Sequence, residues 1–393
     1  MEKTKFAILI VGYNRIKSML RTIESVCKAY YGEDTVDLII SIDHSENDEI
    51  ISAANGVTWN YGRKIVRYLP SRIGLKNHIL SCGDYLEEYD ALAILEDDII
   101  VSPSFFSYMK AAVREYESDQ NIAGISLYSF GWNPIFNAPF YPQMTDKDTY
   151  FIQFAQSWGQ IWMKNQWNEF KQWYLENTDI FDKEYDGMIP KAVYDWPKTS
   201  WLKYHIRYCV EKNKYFVYPY ISLSTNSGEC GEHYDAISTR HQVPLQSIVK
   251  KKYEFASFSD GLKYDVYFEN QSMSERLQVG KNELIVDIYG NKPIEKMKCE
   301  YHKYLLSSQI FDYEIVKSYA LSMRPQEDNI VYGINGDSIF LYNLGIDRKN
   351  KVNKRKHIVC KWNYYTKERF VMLEEIVPVF MEKIRNMLKG LLK

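Results

Sequence analysis

The chain has 393 residues, of which 46% are hydrophobic and 25% are charged, and its formal net charge is -2. This length allows two domains, the composition is that of a soluble globular protein, and the low net charge argues against a nucleic-acid partner. The six cysteines are scattered without a C-x-x-C pair, and no apolar stretch approaches the roughly 18 residues that span a bilayer. We therefore predict a cytoplasmic protein with reduced thiols.

Strand and helix signals alternate through the first part of the chain. Apolar runs predict strands in FAILIVGYN, VDLIISID, ALAILEDD and IAGISLYS. Helical spacing predicts helices in IKSMLRTIESVCKAY, HILSCGDYLEEY and SPSFFSYMKAAVREYES, the last with Ser102 as its N-cap and Pro103 in its first turn. Strands separated by helices of this length indicate an α/β fold, with a mostly parallel sheet and helices on both faces.

Polar side chains follow three of these strands at the point where each strand ends. Arg15 comes after the first strand, Asp43 ends the second, and the acidic residues 96–98 end the third. Because ligands of parallel sheets bind at the carboxyl ends of the strands, we expect these side chains to converge on one edge. Adjacent carboxylates repel one another and resist desolvation, so a divalent cation is the first candidate for offsetting that cost.

The acidic residues alone do not decide the chemistry. The chain contains neither G-x-x-x-x-G-K-[ST] nor G-x-G-x-x-G, so a metal ion is a better candidate than a glycine-rich loop for holding phosphates. Hydrolases and nucleotidyltransferases also use acids at strand ends. A solvated strand end with no function accounts for the triplet equally well.

Six motifs, taken in order, resemble the inverting glycosyltransferases of the GT-A fold. They are ILIVGYNR, IISIDHS, IGLKNHIL, AILEDDIIVSPSFFSYM, QSWGQIWMKNQW and YDWPKTSW. The resemblance is to the N-acetylglucosaminyltransferase-I-like family and to bacterial family 2 sugar transferases. It implies a Rossmann-like GT-A domain over residues 1–245. It also implies metal-dependent, inverting transfer from a nucleotide sugar, expected to be a UDP-sugar, to a glycan hydroxyl in surface polysaccharide synthesis.

The resemblance also implies roles for single residues. Asp98 matches the acid that ligates Mn²⁺ or Mg²⁺, and His233 is a second expected metal ligand. Asp195 falls where the family keeps its catalytic base, although the family often has two adjacent acids there and this chain has one. The expected nucleotide-sugar contacts are Arg15 (nucleotide), Asp43 (uracil edge), Lys76 (closing segment), Glu96 (sugar), Asp97 (ribose), and Ser227 and Gly228 (diphosphate).

The residues themselves leave simpler interpretations open. Arg15 could cap or salt-bridge a helix, and Asp43 could be a turn residue at a strand end. Asp195 could be the N-cap of a helix in WPKTSWLKYHI, with Pro197 in its first turn. His233 could be a structural loop histidine.

The second region, residues 246–393, resembles no family. LIVDIYGNKPI predicts a strand and a turn, and NIVYGINGDSIFLYNLGID predicts short strands with glycine turns. We expect an additional α+β region that binds the acceptor, forms a homo-oligomer or associates with a membrane.

The chain is expected to end in a basic amphipathic helix over residues 370–393. From residue 348 onward there are 13 Lys and Arg against 4 Glu, so the low net charge conceals a basic end. One interpretation is peripheral contact with the inner face of the cell membrane, which would suit a lipid-linked glycan acceptor. The other is packing against its own domain or a second subunit.

Two other functions compete with the glycosyltransferase. A sugar nucleotidyltransferase would share the fold and the metal, but the chain lacks the glycine-rich, Lys/Arg-bearing loop expected near its start. A catalytically inactive glycan-binding or assembly protein would keep the fold without needing Asp195.

Overall fold

The computed structural model describes residues 4–228, 239–366, 381, 384 and 385. The described strands are β1 (Phe6–Gly12), β2 (Asp37–Ile42), β3 (Lys64–Tyr68), β4 (Ala91–Glu96), β5 (Ile99–Val101), β6 (Ile122–Ser126), β7 (Trp132–Asn133), β8 (Ala138–Pro139), β9 (Thr149–Ile152), β10 (Gln160–Met163), β11 (Tyr215–Pro219), β12 (Ser224–Asn226), β13 (Lys263–Tyr264), β14 (Leu284–Asp287), β15 (Tyr304–Ser307), β16 (Tyr313–Tyr319) and β17 (Ile339–Asp347). The described α-helices are α1 (Ile16–Cys27), α2 (Asp48–Gly56), α3 (Gly74–Cys82), α4 (Phe105–Tyr116), α5 (Lys164–Glu176), α6 (Lys191–Tyr194), α7 (Leu202–Glu211), α8 (Met273–Arg276), α9 (Ile294–Met297), α10 (Asp328–Val331) and α11 (Lys354–Thr366).

A nine-stranded sheet forms the centre of the molecule, in the order β13-β9-β11-β6-β10-β4-β1-β2-β3. Strands β4, β1, β2 and β3 are parallel neighbours, and β11 is parallel to β6. Strand β10 runs antiparallel to both β4 and β6, and β9 runs antiparallel to β11. The predicted α/β fold with a mostly parallel sheet is confirmed.

Both faces of this sheet are covered, which explains why its central strands are apolar throughout. All seven residues of β1 are buried. Ile8 and Ile10 belong to one hydrophobic cluster together with Met19 of α1. Ala7 and Leu9 belong to the cluster on the other face, together with Ile79 of α3. The alternation of strand side chains therefore divides β1 between two cores.

The second region carries a separate four-stranded sheet in the order β14-β15-β17-β16. The predicted strand in LIVDIYGNKPI is present as β14. The segment predicted as short strands instead forms the four-residue helix α10 and the single nine-residue strand β17. The domain boundary near residue 245 stays a prediction, and β13, which follows it, pairs with β9 of the large sheet.

The helix predicted to have Ser102 as its N-cap instead has Ser104 as its N-cap residue and begins at Phe105. Ser102 donates its backbone N–H to the carbonyl of Leu223 (2.8 Å). Its hydroxyl instead accepts the backbone N–H of Ser104 (3.1 Å), and Ser104 is the N-cap residue of α4. Ser102 therefore makes the side-chain contact expected of a capping serine, although α4 itself begins at Phe105.

The expected helix over residues 370–393 lies outside the described residues, apart from residues 381, 384 and 385. Within the part of the chain that the structure describes, no helix combines the length and the apolar character needed to cross a bilayer.

Gly83 offers a test of the packing beneath the sheet. A Cβ at this position would lie 2.0 Å from Cε2 of Trp167, a buried ring stacked on Trp162 at 3.9 Å. We expect Gly83→Ala to lower the free energy of unfolding by about 1–3 kcal/mol, because a packed core resists an added methyl group. Gly56→Ala is the matched control, since no atom lies within 4 Å of its Cβ position. Equal urea midpoints for the two variants would contradict this packing.

Candidate active site

The predicted strand ends meet at one edge of the large sheet. Val11 is paired with Glu96 across β1 and β4, and Gly12 is paired with Ile42 across β1 and β2. Asp43 follows directly, and its backbone N–H donates to the carbonyl of Gly12 (2.9 Å). The carboxyl ends of three parallel strands therefore lie side by side, at the position where such sheets bind ligands.

Arg15 lies between two of the acids at this edge. Its Nε donates to Oδ2 of Asp97 (3.3 Å), its Nη1 donates to Oδ2 of Asp98 (3.3 Å), and its Nη2 also contacts Asp97. The planar guanidinium can contact both carboxylates because its donors form a rigid fork. Helix α1 adds a second attachment, since the hydroxyl of Thr22 donates to the carbonyl of Asp97 (2.9 Å).

The acids resist ionisation despite this arginine. Burial raises the pKa of Glu96 to about 8, and repulsion from Asp98 and Asp97 adds to the effect, while Arg15 and a hydrogen bond from Ser157 oppose it. Burial likewise raises the pKa of Asp97 to about 6, opposed mainly by Arg15. One guanidinium does not fully balance three adjacent carboxyl groups, so further positive charge here would favour their ionised forms.

Asp43 is occupied by backbone amides. Its carboxylate accepts the N–H groups of Ile73 (3.0 Å), Gly74 (2.9 Å) and His44 (2.9 Å), and the residue is only 3% exposed. Because Gly74 is the first residue of α3, Asp43 attaches the start of that helix to the end of β2. Its expected contact with a uracil stays a prediction.

Lys76 and Asp195 belong to neighbouring segments. The Nζ of Lys76 in α3 donates to the carbonyl of Lys198 (3.0 Å). The buried Nζ of Lys203 donates to the carbonyls of Tyr194 (2.9 Å) and Trp196 (2.7 Å). These two lysines hold the loop around Asp195 from both sides.

Asp195 directly follows α6 and is its C-cap residue. Its carboxylate is paired with Lys191, and 55% of its side chain is exposed. The helix expected in WPKTSWLKYHI begins at Leu202, so Asp195 is not the N-cap of that helix. Among the described residues, no hydrogen bond or ion pair connects Asp195 to the acidic triplet.

Ser227 lies beside Asp98. Strands β12 and β5 are antiparallel, and the backbone N–H of Ser227 donates to the carbonyl of Asp98 (2.9 Å). The hydroxyl of Ser227 is buried and has no hydrogen-bond partner within the described part of the chain. Gly228 follows with φ +67°, a left-handed conformation that glycine adopts without steric cost. His233 lies outside the described residues.

Sequence reasoning did not identify Thr22 and Ser157 as parts of this site. Thr22 is fully buried on the inner face of α1, beside Met19 and Ile23, and a polar residue among apolar helix positions was the available signal. Ser157 lies within the quoted motif QSWGQIWMKNQW, but nothing local indicates that it faces Glu96. Both partners are visible only once the fold brings distant segments together.

The oxygen atoms at this edge suit Mg²⁺ or Mn²⁺. The carboxylate of Asp98 is 25% exposed. Ser227, whose backbone N–H donates to the carbonyl of Asp98, carries a hydroxyl without a hydrogen-bond partner in the described part of the chain. Residues 4–228 and 239–366 contain no group of three or more His, Cys, Asp or Glu side chains that could hold a metal ion by themselves.

No protein-family model and no curated protein matches the chain. Similar solved structures include S. aureus TarS 1–349 in complex with UDP-GlcNAc, at 14% identity and a TM-score of 0.37, covering 58% of this chain and 60% of that one. Another is the mannosyltransferase PcManGT from Pyrobaculum calidifontis in complex with GDP-Man and Mn²⁺, at 11% identity and a TM-score of 0.30, covering 42% and 46%. The matched segments span less than two thirds of either neighbour's length.

The contact between Arg15 and the acids makes a pH-dependent prediction. Arg15 stabilises the ionised carboxylates. Its contribution to the free energy of unfolding is therefore present above the pKa of Asp97, about 6, and declines as the pH falls through that value. In EDTA, we expect Arg15→Met to lower the free energy of unfolding by about 2 kcal/mol at about pH 8, and by clearly less at about pH 5. Urea denaturation at both pH values measures this.

Lys28→Met is the matched control, because Lys28 forms an exposed pair with Glu24. Its removal should leave the free energy of unfolding nearly unchanged at either pH, because exposed ion pairs contribute little to stability. A loss for Arg15→Met that is independent of pH, or no larger than that of the control, would contradict the assigned electrostatics.

Proposed function

We propose that the chain is a glycosyltransferase that moves a sugar from a nucleotide-sugar donor to a glycan hydroxyl. The observation that carries this proposal is the position of Arg15 between Asp97 and Asp98 at the carboxyl edge of the parallel strands. A guanidinium there can contact phosphate oxygens, and the adjacent acids can hold a divalent cation and polar groups of the donor. Acids with raised pKa values in such a position are typical of functional sites.

The donor is proposed to bind across this edge. Arg15 contacts the nucleotide, Asp97 the ribose and Glu96 the transferred sugar. Ser227 and Gly228 lie beside the diphosphate, where the unpartnered hydroxyl of Ser227 would gain an acceptor.

Asp43 and Lys76 are proposed to act at the opposite border of the donor site. Asp43 contacts the base, which we expect to be uracil, and it also holds the start of α3 through backbone amides. Lys76 follows in that helix and closes over the donor. These assignments rest on the motif resemblance and on the shared edge.

Asp98 is the proposed ligand for Mn²⁺ or Mg²⁺, with His233 as a second candidate. A divalent cation bound here would neutralise negative charge that develops on the leaving diphosphate. Arg15 would share that task from the protein side, because it remains charged at all working pH values. Glu96, which precedes Asp97 and Asp98 in the sequence, would orient the sugar by hydrogen bonding to its hydroxyl groups.

Asp195 is the proposed general base. An acceptor hydroxyl is a poor nucleophile until a carboxylate accepts its proton. In a single displacement, the acceptor oxygen forms a bond to the anomeric carbon as the bond to the diphosphate breaks, and the proton passes to Asp195. This route inverts the anomeric configuration. The exposed carboxylate of Asp195 and its flexible partner Lys191 leave room for an acceptor to approach.

The acceptor is proposed to be a glycan or a lipid-linked glycan of a surface polysaccharide. This part of the proposal rests on the resemblance alone. It is tested by offering lipid-linked and soluble oligosaccharides side by side with each donor.

Asp98 provides the test of metal dependence. With a panel of UDP- and GDP-sugars, we expect Asp98→Ala to reduce transfer at least about 100-fold and EDTA to do the same to the wild-type protein, since the cation balances the leaving charge. Asp146→Ala is the control, because that side chain is 79% exposed and far from any strand-end acid in sequence. Near-full activity of Asp98→Ala with an intact fold would contradict a metal-dependent mechanism.

Asp195 provides the test of the base. Asp195→Asn is nearly isosteric but cannot accept the proton, so kcat should fall by about 10²–10⁴-fold while UDP affinity is unchanged. Asp182→Asn is the matched control, since Asp182 pairs with Lys198 in the same neighbourhood and is 53% exposed. Loss of UDP binding in Asp195→Asn would mark a donor-binding or structural role instead.

Product analysis separates the remaining alternatives. A retained anomeric configuration would rule out single displacement. Synthesis of a nucleotide sugar from a sugar 1-phosphate and a nucleoside triphosphate would establish a nucleotidyltransferase in place of the proposed enzyme.

A further inference from the structure

Helix α11 is attached to the second region through one face only. His357 is buried and bonds through Nε2 to the carbonyl of Ser308 (2.8 Å) and through Nδ1 to that of Asp337 (3.2 Å). Four residues further on, Lys361 donates to the hydroxyl of Ser308 (2.9 Å). Tyr364 then donates from its hydroxyl to a backbone carbonyl at 2.8 Å. The helix is therefore held in a fixed rotation about its axis.

That rotation turns three large apolar side chains to the outside. Ile358 is 65% exposed, Val359 is 51% exposed and Trp362 is 67% exposed. Residues 358 and 362 are one turn apart, so they lie on the same side of the helix. Single exposed apolar residues are ordinary on a protein surface, but an adjacent Trp, Ile and Val on one helical face form a patch that a partner or a membrane can cover.

Positive charge is concentrated in the segment just before this patch and in the first turn of α11. Residues 348–366 contain seven Lys and Arg and no Asp or Glu. Arg348 is paired with Glu314 (3.0 Å) and Lys361 faces inward, which leaves five exposed cations. No ion pair joins any of the five to a carboxylate in the described part of the chain. They are Lys349, Lys351, Lys354, Arg355 and Lys356.

We propose that α11 docks the protein on an anionic lipid surface, with Ile358, Val359 and Trp362 entering the headgroup region. Three of the cations lie at the start of α11, close in sequence to the exposed apolar side chains. This combination suits an anionic surface, because lipid headgroups supply the opposite charge and the interface covers the apolar side chains. Tryptophan favours the boundary between these two environments. This inference does not depend on the proposed transfer activity.

Charge also weighs against two other occupants of the patch. In a twofold dimer the same patch would meet itself, so both copies would bring excess positive charge to the interface and residues 348–366 of neither copy would supply a carboxylate. Residues 367–393 of the chain hold six Lys and Arg against four Glu, so they offer no net complementary charge either. A lipid surface with excess negative charge is the occupant that fits both the cations and the apolar side chains.

The experiment is co-sedimentation of the full chain with vesicles. We expect binding to phosphatidylcholine vesicles that contain phosphatidylglycerol, little binding to phosphatidylcholine alone, and release as the salt rises from about 0.1 M to about 1 M. Full-length protein that ignores the anionic vesicles at low salt overturns the proposal.

Two variants with matched controls locate the contact. We expect the double substitution Ile358→Ser with Trp362→Ser, and separately Arg355→Glu with Lys356→Glu, to weaken vesicle affinity at least about tenfold. Leu175→Ser, which changes an apolar side chain that is 65% exposed on α5, and Lys212→Glu should bind as the unchanged chain does. Unchanged circular dichroism and thermal midpoints establish that each variant is folded.

Two further measurements exclude the other occupants. A chain ending at Thr366 should retain vesicle binding if α11 is sufficient, and loss of binding in that truncation with full binding by both α11 variants overturns the proposal. Light scattering after size-exclusion chromatography reports on a dimer. A dimer that the Ile358/Trp362 variant dissociates, together with vesicle binding that it leaves unchanged, assigns the patch to a subunit interface and also overturns it.

Discussion

The candidate site depends on one arginine shared by two buried or half-buried aspartates. Three adjacent acids at the end of β4 would repel one another in a partly desolvated position, and the guanidinium of Arg15 is the cation that the described protein supplies. Because Arg15 immediately precedes α1, the same contact sets the position of that helix against β4. The hydroxyl of Thr22 then fastens the backbone of Asp97 to α1. The contacts of Arg15 and Thr22 therefore both balance the charge of the acids and fix the position of α1 at this edge.

This arrangement leaves the edge short of positive charge. The pKa of Glu96 is raised to about 8 and that of Asp97 to about 6, in both cases chiefly by burial. A site in that condition favours a ligand that brings a cation with it. Unbalanced acids lower the stability of the fold, and the packing of the central strands, which are buried on both faces, offsets that loss. The structure thus combines a well-packed sheet with one edge at which the negative charge of the acids is not fully balanced by positive charge.

The large sheet could be predicted from sequence because its central strands are continuous apolar runs separated by helical patterns. Other elements could not. Strand β3 (KIVRY) is a short edge strand whose five residues are all partly exposed, so it lacks the continuous apolar run that marks the central strands. The local sequence also predicts earlier starts for α4 and α7 than the structure has. Ser102 and Asp195 are residue types that favour N-caps, and each is soon followed by a proline, but the helices begin at Phe105 and Leu202.

The candidate site likewise has features that the sequence predicts and features that it does not. The convergence of Arg15 with the acids followed from the rule for strand ends, whereas the three backbone amides on Asp43 could not be foreseen, because two of them come from residues about 30 positions away. A crystal structure with UDP and Mg²⁺ would show directly whether the donor binds at this edge. We expect the diphosphate within hydrogen-bonding distance of Arg15 and an oxygen of Asp98 about 2.1 Å from the cation. A nucleotide bound elsewhere, with Arg15 still paired only to Asp97 and Asp98, would contradict this expectation.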